Sequence, residues 1–285
     1  ELQDAYNELT VSFNDSCDLV VRAYDEGVAY HFATRLNGEI TIISEDAIFN
    51  FASTPTIYYP ECDANYSGET DQSGRTHQVH QGYRNFERLY KVYKGPLEIP
   101  YERFAVSPVL YEYPDSPYKV VVTESNTYDY PALYMESNGY NSMRGKWANY
   151  PKETIDSDPS NPYYWYSNHL VVTRENYIAK TDGNRSFPWR VIIVSEDDKS
   201  LLNNELVYKL ADPCRLTDTS WIQPGKSAWE WWHKAVLEGV DFPSGNKQLS
   251  LQLYKYYVDW ASKNHIEYMT LDAGWSKDYI KELCS

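Results

Sequence analysis

The spacing of apolar runs between residue 8 and about residue 210 is the feature that most restricts the fold. Short alternating or apolar runs are separated there by turn residues, and few stretches have helical spacing. Asp25-Glu-Gly joins two such runs and predicts a hairpin. A second turn is predicted at Thr181-Asp-Gly-Asn, between the runs Tyr177–Lys180 and Trp189–Ser195. Short apolar runs separated by turn residues are typical of an antiparallel β-sandwich.

The pattern changes after Ser195. Residues Glu196–Leu210 carry acids early and apolar residues at helical spacing, which predicts one helix with Ser195 as its N-cap. A second helix is predicted over Lys247–Lys263, where Leu249, Leu253, Tyr256, Tyr257 and Trp260 share a face. It lies between the aromatic run that starts at Ala228 and a strand over Ile266–Asp272. A strand, a helix and a parallel strand in this order begin an α/β barrel or a doubly wound sheet.

The predicted fold class is therefore mainly β, with an antiparallel sandwich followed by the start of an α/β (TIM-type) barrel. Residues 1–218 are assigned to the sandwich with its closing helix and linker, and residues 219–285 to the barrel. A barrel needs about eight strands, so about six would be missing. We therefore expect the sequence to be a fragment of a longer protein.

Charge and composition argue against nucleic-acid binding and against a membrane-spanning helix. The chain has 26 Lys and Arg residues against 41 Asp and Glu residues, which gives a net charge of -15. Nucleic acid is not expected as a partner, because its phosphates are bound by clustered basic residues. No run of about 18 apolar residues occurs, so a membrane-spanning helix is not expected. The acidic start Glu1-Leu-Gln-Asp-Ala does not read as a signal peptide.

Aromatic and acidic residues coincide where the two predicted barrel strands end. In barrels the reactive groups lie at the carboxyl ends of the strands. Tryptophan faces stack on sugar rings, and carboxylates hold sugar hydroxyls, so this combination suits a carbohydrate site. Core packing is the alternative for the tryptophans. The substrate-binding candidates are Glu230, Trp231, Asp272 and Trp275.

Glu124 stands where the apolar run Val120–Thr123 ends. A carboxylate at that place, pointing into a cleft, would bind a hard cation through oxygen. On the residues alone, a solvated acid at a strand end is the simpler interpretation. Arg174 and the stretch Asn184–Arg190 offer donors to a ligand or a neighbouring domain, and ordinary surface ion pairs explain them equally well.

Several stretches, in a consistent order along the chain, carry a family resemblance: Val122-Thr-Glu-Ser, Tyr128-Asp-Tyr-Pro-Ala-Leu-Tyr, Arg185-Ser-Phe-Pro-Trp-Arg-Val-Ile-Ile-Val, Asp218-Thr-Ser-Trp-Ile-Gln-Pro-Gly-Lys and Tyr254-Lys-Tyr-Tyr-Val-Asp-Trp. With them the chain resembles glycoside hydrolase family 97, a family of α-glucosidases and α-galactosidases. The resemblance implies an N-terminal β-super-sandwich packed on a catalytic barrel. It also implies cleavage of terminal α-glycosidic bonds in an oligosaccharide and a periplasmic or secreted location. A non-catalytic carbohydrate-binding β-sandwich protein is the alternative.

The resemblance also implies a calcium cofactor. Family members use a Glu of the sandwich as one calcium ligand, and Glu124 matches that position. The family's catalytic carboxylates come from later barrel strands, so no catalytic residue is predicted in this chain. One departure is Asp272-Ala-Gly-Trp275, where the family often has Asp-Glu-Gly-Trp. A role that requires the second acid does not carry over.

Overall fold

The computed structural model describes residues 3–61, 90–100, 103–156 and 169–272. The chain divides into two compact units, Glu1–Pro213 and Cys214–Ser285. Residues 214–226 form a connector between this division and the first strand of the second unit, and the predicted domain boundary, after residue 218, lies within it.

The first unit is built from antiparallel sheets. Its larger sheet has nine described strands: β1 (Asn7–Phe13), β2 (Cys17–Tyr24), β3 (Gly27–Ile42), β5 (Thr56–Pro60), β6 (Tyr90–Tyr93), β8 (Val109–Glu112), β9 (Lys119–Ser125), β14 (Ala179–Ser186) and β15 (Trp189–Ser195). Their order is β1-β2-β3-β15-β9-β8-β5-β6, and β14 also pairs with β3. A second sheet has the order β4-β11-β10-β7, with β4 (Ile48–Asn50), β7 (Phe104–Val106), β10 (Tyr134–Ser137) and β11 (Ser142–Lys146). The strands β12 (Pro151–Asp156) and β13 (His169–Arg174) pair with each other.

The main hydrophobic core contains side chains from both sheets. Its buried members include Ile57, Tyr59, Val109, Tyr111, Val122, Met135 and Met143. A smaller cluster on the larger sheet joins Ala29, Trp189, Val191 and Ile193 to Leu206, which begins a short helix, and to Leu210, which caps that helix. The predicted antiparallel, mainly β sandwich is therefore confirmed.

The hairpin predicted at Asp25-Glu-Gly is confirmed, since β2 pairs with β3 from Tyr24 and Gly27 outward. Gly27 is required because a Cβ at this position would collide with the carbonyl oxygen of Ile192. The second predicted turn is wrong, because Thr181–Asn184 lies inside β14. The long strand β3 explains the difference: its first residues pair with β15 and its later residues with β14, so these two strands do not form a hairpin.

The single helix predicted over Glu196–Leu210 is also wrong. The structure has two short helices, α1 (Asp198–Leu202) and α2 (Leu206–Lys209). Asp197, and not Ser195, is the N-cap of α1, because its carboxylate accepts hydrogen bonds from the main-chain N–H groups of Lys199 and Ser200. Asn204 interrupts the helical run, since its side-chain oxygen accepts from the N–H of Leu206 at 3.1 Å.

The second unit contains β16 (Ser227–Trp229), α3 (Leu251–Lys263) and β17 (Tyr268–Thr270), with β16 and β17 parallel. The helix α3 buries Leu253, Tyr254, Tyr257 and Ala261. The predicted strand-helix-strand order is confirmed, whereas Trp260, predicted on the buried face, is 47% exposed. The complete barrel stays a prediction. Among the described residues, every helix is too short or too polar to cross a membrane.

Candidate functional site

Glu230 follows β16 directly and is buried, with only 2% of its surface exposed. Its Oε1 accepts hydrogen bonds from the Tyr254 hydroxyl at 2.9 Å and from the Asp272 main-chain N–H at 3.3 Å. Its Oε2 is buried and has no hydrogen-bond partner among the described residues. One carboxylate oxygen therefore joins the ends of both strands to α3.

The position of Glu230 is set by its own backbone and by the packing behind it. Glu230 opens a 3₁₀ turn that ends at His233, and its carbonyl accepts from the N–H of Ala235 at 2.8 Å. Ala235 has a positive φ of 55° and is buried in a cluster with Leu253 and Tyr257. Burial, followed by the neighbouring Glu230 charge, raises the pKa of Tyr257. The carboxylate is thus held by the interior of this unit.

The other strand-end candidates have different environments. Trp231 is 51% exposed and stacks on Trp229, with ring centroids 5.2 Å apart and planes 21° apart. Asp272 is half-buried just after β17, and its main-chain N–H donates a hydrogen bond to Glu230. Trp275 lies outside the described residues. The structure therefore brings Glu230 and Asp272 together and leaves an aromatic face open at Trp231, while the predicted sugar contacts stay predictions.

Glu124 lies inside β9, opposite Arg190 of β15 in the register of the two strands. Its side chain is 9% exposed. Oε1 accepts from the N–H of Leu133 at 2.8 Å, and Oε2 accepts from Nη1 of Arg190 at 2.8 Å. Burial raises the pKa of Glu124, and the Leu133 N–H and the Arg190 guanidinium oppose that rise. The interpretation of Glu124 as a solvated strand-end acid is therefore wrong.

Arg190 connects Glu124 to a second acid, Glu45. Nε and Nη2 of Arg190 donate to the two carboxylate oxygens of Glu45, each at 2.7 Å, and the Tyr130 hydroxyl donates to Glu45 Oε2 at 2.9 Å. Glu45 and Arg190 also line a cavity of about 380 Å³. Sequence reasoning missed Glu45 and the burial of Arg190. The available signal was a single arginine in the otherwise apolar strand Trp189–Val194, because a buried arginine requires a partner.

The implied calcium ion can be tested against these contacts. Calcium takes about six to eight oxygen ligands. Glu124 offers one carboxylate, whose two oxygens already accept hydrogen bonds, and the adjacent guanidinium repels a cation. Across the described ranges, no group of three or more His, Cys, Asp or Glu side chains converges. The described residues do not by themselves fit a calcium ion, and the metal role of Glu124 stays a prediction.

The two other arginines singled out from the sequence bind main-chain carbonyls of the same unit. Arg174 donates to the carbonyl of Asn149 at 2.6 Å. Arg185 donates to the carbonyls of Tyr128 at 2.6 Å and Asp129 at 3.1 Å. These contacts hold loops of the sandwich in place.

Comparison with known proteins identifies the family of this chain. The family profile described as "Glycosyl-hydrolase 97 N-terminal" matches residues 1–213. A retaining alpha-galactosidase of Bacteroides thetaiotaomicron is 35% identical over 284 residues, which cover 99% of this chain and 40% of that protein. A probable retaining alpha-galactosidase of Streptomyces bingchenggensis is 38% identical over 98 residues, covering 34% of this chain and 14% of that protein.

Solved structures share the fold at low sequence identity. A glycoside hydrolase family 97 enzyme from Pseudoalteromonas sp. strain K8, in complex with acarbose, has a TM-score of 0.59 and 18% identity, over 97% of this chain and 40% of that chain. A beta-arabinopyranosidase has a TM-score of 0.61 and 14% identity, over 98% of this chain and 43% of that chain. The chain spans 40% of the length of the alpha-galactosidase that it matches almost throughout. On the profile match to residues 1–213, the chain belongs to glycoside hydrolase family 97.

Proposed function

We propose that the protein of which this chain is part hydrolyses terminal α-glycosidic bonds of oligosaccharides, and that an α-galactoside or an α-glucoside is its substrate. The observation that carries the proposal is 35% identity over 99% of this chain to a retaining alpha-galactosidase. Because the chain spans 40% of that relative, the activity belongs to the whole protein and not to these residues alone. A periplasmic or secreted location is part of the same proposal.

The proposed reaction retains the anomeric configuration, as the name of this relative says of that enzyme. Retaining glycosidases use two carboxyl groups about 5 to 5.5 Å apart, one as nucleophile and one as acid and base. We assign both to residues beyond Ser285. Within this chain, Asp272 holds sugar hydroxyls and the exposed face of Trp231 stacks on a sugar ring. Trp275, which lies outside the described residues, stays a substrate-binding candidate.

The calcium cofactor is a separate part of the proposal, and it is carried by the family resemblance alone. Glu124 would supply one carboxylate, and the remaining ligands would come from elsewhere in the whole protein. Calcium affinity of the whole protein, measured by calorimetry, is expected to fall in Glu124→Gln. An unchanged affinity would remove Glu124 from the metal site.

The activity is tested with the whole protein on nitrophenyl α-galactoside and α-glucoside, beside the corresponding β-glycosides. Turnover of an α-glycoside is expected, with the α-anomer as the first product seen by proton NMR. Sugar binding without turnover would favour the non-catalytic carbohydrate-binding alternative. Release of the β-anomer would contradict retention while leaving the hydrolysis intact.

A further inference from the structure

We propose that Glu230 is a positioning residue, which fixes the main chain of Asp272 at the end of β17 instead of contacting the sugar. The inference rests on the proposed function, because Asp272 is the group that it would position. It starts from the burial of Glu230, whose carboxylate is enclosed by its own unit.

The strand ladder stops short of Asp272. The register of the parallel pair ends at Trp229 and Thr270, two residues before Asp272. The main-chain N–H of Asp272 instead donates to the side chain of the residue that follows β16, since Glu230 Oε1 accepts from it at 3.3 Å. A side chain thus replaces the missing strand partner and satisfies a main-chain donor at the edge where sugar-binding groups are expected.

The accepting oxygen is itself fixed. The Tyr254 hydroxyl donates to the same Oε1 at 2.9 Å, and Tyr254 is 1% exposed on α3. The Leu253 and Tyr257 side chains of this helix form a buried cluster with Ala235, which follows the turn that Glu230 opens. The acceptor of the Asp272 amide is therefore in place before any ligand arrives, as a preorganised site requires.

The second oxygen of Glu230 argues against a purely stabilising role. Oε2 is buried without a partner in the described part of the chain, and burying an unbonded polar atom is unfavourable. A leucine of similar size would avoid the cost of the unbonded Oε2, although it would also take the acceptor away from two donors that remain in place. What leucine cannot supply is the oxygen that holds Tyr254 and Asp272.

The first test compares two substitutions in the whole protein. Glu230→Gln keeps a side-chain carbonyl for both donors and is expected to retain kcat/KM within about threefold. Glu230→Leu removes the acceptor and is expected to lower kcat/KM by about 10- to 100-fold, since small misplacements at a reacting site have effects of this size. A glutamine variant as impaired as the leucine variant would overturn the proposal, because it would show that the charge itself acts on the substrate.

A double-mutant cycle separates positioning from general structural damage. If Glu230 acts through Asp272, Glu230→Leu should lower kcat/KM little further in a protein that already carries Asp272→Asn. Independent, multiplying losses would overturn the proposal.

Hydrogen exchange of the Asp272 main-chain amide tests the positioning role of Glu230 without measuring activity. Exchange is expected to be at least tenfold faster in Glu230→Leu than in Glu230→Gln. Ser250→Ala is the control, because it removes the N-cap of α3 without touching Glu230. Equal exchange in the two Glu230 variants would overturn the positioning role. A wild-type protein without glycosidase turnover would overturn the proposed function only, and exchange would still decide the role of Glu230.

Discussion

The two units handle a buried carboxylate in different ways. In the sandwich, Glu45 and Glu124 share Arg190, and all four carboxylate oxygens accept hydrogen bonds. In the second unit, the donors to Glu230 are neutral and one oxygen is left without a partner in the described residues. In the first arrangement a buried guanidinium neutralises both acids, whereas in the second a buried acid accepts from a main-chain N–H at a strand end. Burial alone therefore does not reveal the task of an acid, and the set of donors does.

The largest effect is expected from removing the shared cation. Arg190→Met leaves Glu45 and Glu124 buried without their partner, which is expected to lower the free energy of unfolding by about 3 to 5 kcal/mol. Urea denaturation measures this change. Arg35→Met is the control, because Arg35 pairs with Asp18 at the surface and a much smaller change is expected. Equal losses of unfolding free energy in the two variants would contradict a special contribution of the buried ion pairs of Arg190.

A second prediction tests the packing of the helices against the sandwich. Leu206 is fully buried in the cluster with Val191, whereas Leu202, four residues earlier, is 87% exposed. Leu206→Ala is expected to lower the free energy of unfolding by about 2 to 5 kcal/mol. Leu202→Ala is expected to change it by less than about 0.5 kcal/mol. Similar values from urea denaturation would contradict the break between α1 and α2, which gives these leucines different environments.

A third prediction moves from stability to binding in the second unit. Trp231→Ala removes an exposed ring, so KM for an α-glycoside is expected to rise about three- to tenfold with the unfolding midpoint unchanged. Trp221→Ala is the control, because Trp221 is also exposed and lies in the connector before β16. If both substitutions leave KM unchanged, Trp231 is not a sugar platform.

The smallest effect concerns a buried histidine of the sandwich. His31 packs against Trp189, with ring centroids 4.0 Å apart, and burial lowers the pKa of His31. The unfolded chain therefore takes up this proton at a higher pH than the folded protein does, and stability is lost progressively as the pH falls below about 6.5. Urea midpoints at pH 7.5 and 5.5 should differ less in His31→Asn than in the wild type. Equal differences would show that His31 contributes nothing to the pH dependence.

Local patterns were sufficient for much of the fold. The alternation of apolar residues predicted the antiparallel sandwich, and helical spacing predicted α3, because each depends on neighbours in sequence. Trp260 was placed on the buried face of α3 although it is nearly half exposed. Spacing gives a stripe of a helix, but the neighbouring elements decide which edge of the stripe is covered.

The contacts that define the candidate site depend on distant residues. Arg190 is separated from Glu45 by 145 positions and from Glu124 by 66, and Glu230 from Asp272 by 42. Sequence position placed Glu230 and Asp272 at strand ends, which was enough to select them. It did not show that one carboxylate oxygen holds the amide of the other residue, because that depends on how β16, β17 and α3 pack.

The most direct test of the account is kcat/KM of the whole protein carrying Asp272→Asn, with its unfolding midpoint measured on the same sample. The substitution keeps the main-chain N–H that donates to Glu230 and removes the side-chain charge that is proposed to bind the sugar. An unchanged midpoint with a loss of kcat/KM of about 100-fold or more is predicted, which is about 2.7 kcal/mol of transition-state stabilisation. An unchanged kcat/KM would contradict the assignment of this strand end to the sugar site.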